Sequence, residues 1–130
     1  MAIVFQIHRI LGEMVLPLLT LIVAIWLTAT WKPGGPAQPA ARFFPMLVDL
    51  QVLIGLIYYV YLLVGGNSRM LSFPFILHPI IGIIATVVAH RAVKGNGLLP
   101  NLGRWSPLAS LAILLVLVLI NVMLGMPARA

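Results

Sequence analysis

The chain contains no cysteine and very few charged residues. Without thiols it cannot form disulfides, thiolate metal sites, a covalently attached c-type haem or a cysteine-ligated iron–sulfur cluster. Only 8% of its 130 residues are charged, and Glu13 and Asp49 are the only acidic ones. In a soluble domain about a quarter of the residues are charged. A chain that is 62% hydrophobic therefore does not face water over most of its surface, which predicts a single transmembrane domain over residues 1–130.

Motifs of soluble enzymes are also missing. The sequence has no phosphate-binding loop, dinucleotide fingerprint, HExxH motif or serine nucleophile elbow, so we do not expect an enzyme. The net charge of +6 comes from eight Lys and Arg residues. They lie near the ends of apolar segments, where cations contact lipid head groups. This placement favours the lipid bilayer, and not nucleic acid, as the partner.

Four apolar segments approach or exceed the ~20 residues that cross a bilayer as a helix. They cover about residues 7–31, 44–64, 74–93 and 107–124, with polar or Pro/Gly-rich breaks between them. Backbone groups in hydrocarbon must be hydrogen-bonded within their own segment, so each segment is predicted to be helical. The expected fold is an all-α, integral membrane four-helix bundle whose fourth segment faces lipid or a partner. No internal repeat is evident on inspection.

The distribution of cations predicts the orientation. The first and third loops hold five Lys or Arg residues, and the second loop and the two ends hold three. Cytoplasmic loops carry the excess of positive charge, so these two loops are expected in the cytoplasm and both termini outside. The expected location is the cytoplasmic (inner) membrane of a bacterium, with the chain as a multi-pass protein.

Ionisable residues lie at two levels of the predicted bundle. His8 and His78 lie near the starts of segments one and three, which run in the same direction, so their imidazoles are expected at similar depth. Ionisable groups inside a span usually face the bundle interior and pair with each other. Near the other end, Asp49 and His90 are predicted to form a buried structural pair. The predicted outer cluster consists of His8, Arg9, Glu13 and His78.

The outer cluster has two chemical interpretations and one structural interpretation. Two neutral imidazoles on neighbouring helices can ligate one haem iron axially, and Gly82, one turn from His78, leaves room beside a porphyrin. A histidine with a nearby carboxylate such as Glu13 can instead hydrogen-bond the head group of a quinone. In the structural interpretation, His78 bonds to a backbone carbonyl or to Glu13 and joins two helices.

The motifs IHRIL, DLQVLIGLIYY and LHPIIGIIATVVAHR resemble a bacterial family of small four-helix membrane proteins that are often labelled cytochrome-b-like. The resemblance spans most of the chain. Leu77 stands where the family has an acidic residue, and Gly12 where it has a basic one. The missing charges imply a subunit that keeps the fold and has given up the chemistry. The matching residues are His8, Gln51, Gly55, His78 and Pro79.

Two functions follow as expectations. The first is a non-catalytic accessory subunit of a larger respiratory or photosynthetic electron-transfer complex, for example a quinol-oxidising complex such as alternative complex III. The apolar fourth segment, the small mass outside the membrane and the missing redox motifs favour it. The alternative is a b-type cytochrome or a quinone-binding protein that uses His8 and His78. Transport is less consistent with the sequence, because no span is clearly broken.

Overall fold

The computed structural model describes residues 2–33, 38–73, 75–94 and 97–125, and these are helices joined by short turns. The four main helices are α1, Ala2–Ala29; α2, Phe43–Val64; α3, Leu77–Ala92; and α4, Ser106–Gly125. Short 3₁₀ turns occur at Pro39–Arg42, Ser68–Leu71 and Pro100–Trp105. The prediction of an all-α fold with four helices is confirmed.

Three helical stretches are long and apolar enough to cross a membrane, judged by length and composition: Ala2–Ala29, Pro39–Val64 and Pro100–Gly125. Helix α3 has 16 residues. At 1.5 Å per residue it is about 24 Å long, against ~30 Å for the hydrocarbon core of a bilayer. The third predicted segment, 74–93, is therefore longer than the helix. Its first residue, Pro74, lies outside the described residues.

The four helices close into a ring in chain order. Helix α1 packs on α2, α2 on α3, α3 on α4, and α4 packs back on α1. Helices joined by short connections run antiparallel to each other. Helices α1 and α3 therefore run in the same direction at opposite corners of the bundle, and side chains from both can meet in its centre.

Helix α4 is a core element, so the prediction that it faces lipid or a partner is wrong for one of its faces. Leu111 and Leu114 are fully buried, as are Ser106 and Ser110. The Ser110 hydroxyl accepts a hydrogen bond of 3.0 Å from the Leu98 backbone N–H, which ties the preceding loop to the helix. The few polar residues of the helix, Ser106, Ser110 and Asn121, lie on its buried side, so they mark the face that packs in the bundle.

Helix α1 contains one π-helical turn, Leu11–Val15, between its two α-helical stretches. The Leu16 backbone N–H bonds to the Leu11 carbonyl, five residues back. Pro17 follows immediately. Proline has no N–H, and its ring clashes with the carbonyl four residues earlier in an α-helix. The wider π turn keeps the helix continuous across Pro17. It also changes the direction of the side chains before the turn relative to those after it.

The core assignment of α4 can be tested with a matched pair of substitutions. Leu114 is 0% exposed and Val116, on the same helix, is 55% exposed. We expect Leu114→Ala to lower the free energy of unfolding by about 2 kcal/mol or more, because it leaves a cavity. Val116→Ala should change it by less than about 0.5 kcal/mol. Circular dichroism of unfolding in detergent measures both, and equal losses would contradict the described packing.

Candidate functional site

His8 and His78 meet in the centre of the bundle. Their ring centroids are 5.9 Å apart and the ring planes are nearly perpendicular, at 84°. His8 lies on the first stretch of α1, and His78 is the second residue of α3. The structure therefore brings together the two histidines that the sequence places at similar depth.

Each imidazole bonds through Nδ1 to a backbone carbonyl of the helix that follows it in the chain. His8 Nδ1 lies 3.2 Å from Gln51 O, and His78 Nδ1 lies 2.8 Å from Asn121 O. A carbonyl oxygen can only accept, so Nδ1 carries the hydrogen and donates, and Nε2 keeps its lone pair. This is the arrangement in which a histidine ligates a metal through Nε2.

Two amide side chains lie beside the imidazoles. Gln51 Nε2 donates a 2.7 Å hydrogen bond to His8 O, which ties α2 to α1 a second time. Gln51 Oε1 and Asn121 Oδ1 are buried without a hydrogen-bond partner in the described part of the chain. Both residues line the cavity next to the imidazoles. Buried acceptors without donors cost about 1–3 kcal/mol, so these two amide oxygens are groups whose hydrogen-bonding capacity the described residues leave unused.

Glycines on α2 and α4 make the space that the imidazoles occupy. A Cβ at Gly55 would lie 2.5 Å from His8 Cε1, and one at Gly125 would lie 3.1 Å from His78 Cε1. Real Cβ atoms essentially never approach a heavy atom within 3.0 Å. A side chain at Gly55 would therefore displace His8, and one at Gly125 would press on His78.

Glycines on α1 and α3 make room for the amides. A Cβ at Gly12 would lie 2.7 Å from Gln51 Nε2, so a side chain at this position would require the Gln51 amide to move. Gly82 is buried, and a Cβ there would lie 3.5 Å from Asn121 Nδ2. The space predicted beside Gly82 for a porphyrin is next to this amide.

Two cavities, of about 80 Å³ and 110 Å³, flank the imidazole pair. Because both histidines line both cavities, the two are the sides of one slot that the imidazoles divide. Each cavity alone is smaller than the ~300 Å³ of a typical small-molecule pocket. Even together the two cavities are smaller than that, so a ligand of that size would enter only if the surrounding side chains moved apart. The shared lining includes His8, Gly12, Gln51, Gly55, Tyr59 and His78.

The distance between the two ring centroids matches the distance expected for two imidazoles that share one metal ion. An imidazole nitrogen binds a transition metal at about 2.0 Å and the ring centre lies about 1 Å further away, so two imidazoles on opposite sides of one ion have centroids about 6 Å apart. The observed separation of the His8 and His78 rings is 5.9 Å.

Arg9 and Glu13, the charged members of the predicted outer cluster, lie on the wall of the larger cavity. Arg9 is exposed and Glu13 is half-buried. For a quinone, the arrangement offers an imidazole and a carboxylate on the same cavity, as the sequence predicts. The contact between His8 and His78 has no role in that interpretation.

At the other end of the bundle, His90 joins α3 to α2. Its Nε2 lies 2.8 Å from Asp49 Oδ2 and 3.0 Å from Oδ1. The side chains are 48% and 43% exposed, so the predicted burial of this pair is wrong. Ala89, the preceding residue, is 0% exposed and takes the core position. In the described residues no group of three or more His, Asp or Glu is placed to hold a metal ion.

The two polar contacts of α2 should differ in their effect on stability. We expect Gln51→Leu to lower the free energy of unfolding by about 1–3 kcal/mol, because it leaves a carbonyl of α1 without its donor. Asp49→Asn should cost less than about 1 kcal/mol, since the ion pair with His90 is half-exposed. Thermal unfolding in detergent compares the two variants. A larger loss in Asp49→Asn would show that the interhelical amide is not a main contact.

Comparison with known proteins gives no match: no protein-family model, no curated protein and no solved structure matches the chain. The resemblance to small cytochrome-b-like membrane proteins therefore remains a prediction that rests on the short motifs around His8, Gln51 and His78. The function has to be argued from the geometry of the imidazole pair and from the surface of the bundle.

Proposed function

We propose that the four helices span the cytoplasmic membrane of a bacterium and that the chain binds a b-type haem between His8 and His78, as a small electron-transfer protein. The observation that carries the proposal is the imidazole pair: both rings donate through Nδ1, and their centroids are 5.9 Å apart. Bound haem would supply one-electron transfer.

The outer surface of the bundle supports the membrane part of the proposal. Large apolar side chains on every helix point away from the core, for example Leu18 (59% exposed), Leu53 (56%), Val87 (54%) and Met123 (68%). A soluble monomer rarely exposes contiguous apolar patches of this extent. Lipid tails would cover them without cost, which supports a multi-pass membrane protein.

Backbone groups support the two imidazoles, although the acidic residue that the resemblance leads us to expect at position 77 is absent. The sequence has Leu77 at that position, which led to the expectation that the site had lost its chemistry. The carbonyls of Gln51 and Asn121 hold the Nδ1–H groups of His8 and His78 instead. Fixing Nδ1 in this way orients each ring and raises the basicity of its Nε2 as a ligand. The absence of a carboxylate at position 77 is therefore no argument against haem.

Haem binding can be tested with the third histidine as a matched control. The chain, expressed with haem supplied and purified in detergent, should show a b-type alpha band in a reduced-minus-oxidised spectrum. Because both axial ligands are needed, His8→Ala and His78→Ala should each reduce the band at least tenfold. His90→Ala should retain it, since His90 pairs with Asp49 at the other end. A folded, colourless wild-type chain would refute the proposal.

A second candidate is the accessory subunit of a larger integral membrane electron-transfer complex, without a cofactor of its own. It is favoured by one observation: the Nδ1 bonds and the Gln51 amide already link α1 to α2 and α3 to α4 without any ligand. Polar side chains in membrane bundles often serve only to join helices. If the purified chain is colourless, the electron-transfer subunits that co-purify with a tagged chain from native membranes would identify the complex.

The orientation follows from the excess of cations in the first and third loops. We expect both termini on the external side. A reporter that is active only outside the cytoplasm, fused after Ala130, should be active, and a cytoplasmic reporter at the same point should be inactive. The opposite pattern would reverse the proposed orientation and leave the bundle itself unaffected. A fusion in the loop before α2 is the internal control.

A further inference from the structure

Two stretches of the chain recur after a shift of 70 residues. Residues 5–12 read FQIHRILG and residues 75–82 read FILHPIIG, which share Phe, His, Ile and Gly. Residues 47–55 read LVDLQVLIG and residues 117–125 read LVLINVMLG, which share Leu, Val, Val and Gly. The same shift relates both pairs. It also relates Gln51 to Asn121, two residues with the same amide group.

The contacts around the two imidazoles repeat in the same register. Each histidine bonds through Nδ1 to the carbonyl of the residue 43 positions later. Each imidazole also packs against the glycine one turn beyond that carbonyl, Gly55 for His8 and Gly125 for His78. The Nδ1 hydrogen bond and the glycine contact of α1–α2 are thus reproduced in α3–α4.

The repetition extends to the exposure of neighbouring residues. Ile10 and Ile80 are 46% and 45% exposed, and Val48 and Val118 are 2% and 7% exposed. These pairs therefore occupy equivalent places on the outside and in the core. The equivalence ends at the π turn of α1, after which the buried Thr20 corresponds to the exposed His90.

We infer that the chain is an internal duplication of one two-helix unit, with its pseudo-two-fold axis between the imidazoles, and that each unit supplies half of one ligand site. Gln51 and Gly55 are the positioning residues for His8, and Asn121 and Gly125 those for His78. The duplication stands on sequence and geometry, and only the identity of the ligand rests on the proposed function. A site on the axis takes one ligand per chain, held by both units.

The units have diverged in ways that leave the half-sites intact. Asn121 is one methylene shorter than Gln51, whose amide reaches His8 O. Arg9 and Glu13 correspond to Pro79 and Ile83, so the charged wall of the larger cavity comes from the first unit alone. The imidazole, the carbonyl and the packing glycine are the parts that both units keep.

The inference can be tested without any cofactor by nitrogen NMR of the full chain in detergent, with ¹⁵N-labelled histidine. Replacing each histidine in turn assigns the three imidazoles. We expect His8 and His78 to show protonated, hydrogen-bonded Nδ1. Gly55→Ala should shift mainly the His8 resonances and Gly125→Ala mainly those of His78, with the larger shift for Gly55→Ala. Leu53→Ala and Met123→Ala, at equivalent exposed positions, should shift neither.

If a glycine variant fails to fold, exchanging the amide residues at positions 51 and 121 provides a second test. Because the positions are equivalent, the double variant Gln51→Asn with Asn121→Gln should fold and should move the stronger amide contact from the first unit to the second. Asn121→Gln alone should leave the Tm unchanged or raise it. Loss of folding in Asn121→Gln, or a Gly125→Ala variant with unchanged His78 resonances, would overturn the inference.

Haem binding and the duplication of the two-helix unit would be refuted by different results. Resonances that follow the expected pattern in a chain without an alpha band would refute haem binding and leave the duplicated half-sites standing. An alpha band that needs both histidines, together with His78 resonances that do not respond to Gly125→Ala, would support haem and refute the equivalence of the half-sites.

Discussion

Two imidazoles in the interior of a helical bundle impose the strictest requirement on this structure. A buried N–H must have an acceptor, and each helix already uses its carbonyls for its own hydrogen bonds. A carbonyl oxygen has two lone pairs, so those of Gln51 and Asn121 can accept a second bond from an imidazole. The neighbouring backbone must then come close, which is possible because Gly55 and Gly125 face the rings. The helix spacing and the register thus follow from these contacts.

The same contacts give the site its chemical character. Each Nδ1–H is used in a hydrogen bond inside the protein, and these bonds do not use the Nε2 lone pairs. The flanking cavities are small, so a ligand as large as the proposed haem would require the surrounding side chains to move apart. A purely structural role for the imidazoles requires only the Nδ1 hydrogen bonds. The two interpretations differ in whether a ligand lies between the imidazoles. They agree that backbone carbonyls orient both rings.

The duplicated architecture explains why the imidazoles meet in the centre. In a ring of four antiparallel helices, the first helices of two equivalent hairpins stand at opposite corners. A residue of α1 that points to the centre is then matched by the equivalent residue of α3, as His8 is by His78. The repeat escapes inspection of the sequence because Ile, Leu, Val and Ala dominate both halves. It becomes visible when the contacts supply the register, since the Nδ1 bonds in both units span the same distance along the chain.

Composition and hydrophobic segments determined the class of fold from the sequence alone, because long apolar stretches with few charges have only helical solutions in hydrocarbon. The direction of the segments also placed His8 beside His78, and Asp49 within reach of His90. Tertiary structure decided which helix faces are buried and which groups accept the hydrogen bonds of the imidazoles. Ile, Leu and Val occupy most of both sides of α4, so packing had to show that Leu111 and Leu114 lie in the core. The acceptors of the imidazoles are backbone carbonyls, which every residue carries, and therefore no sequence pattern identifies them.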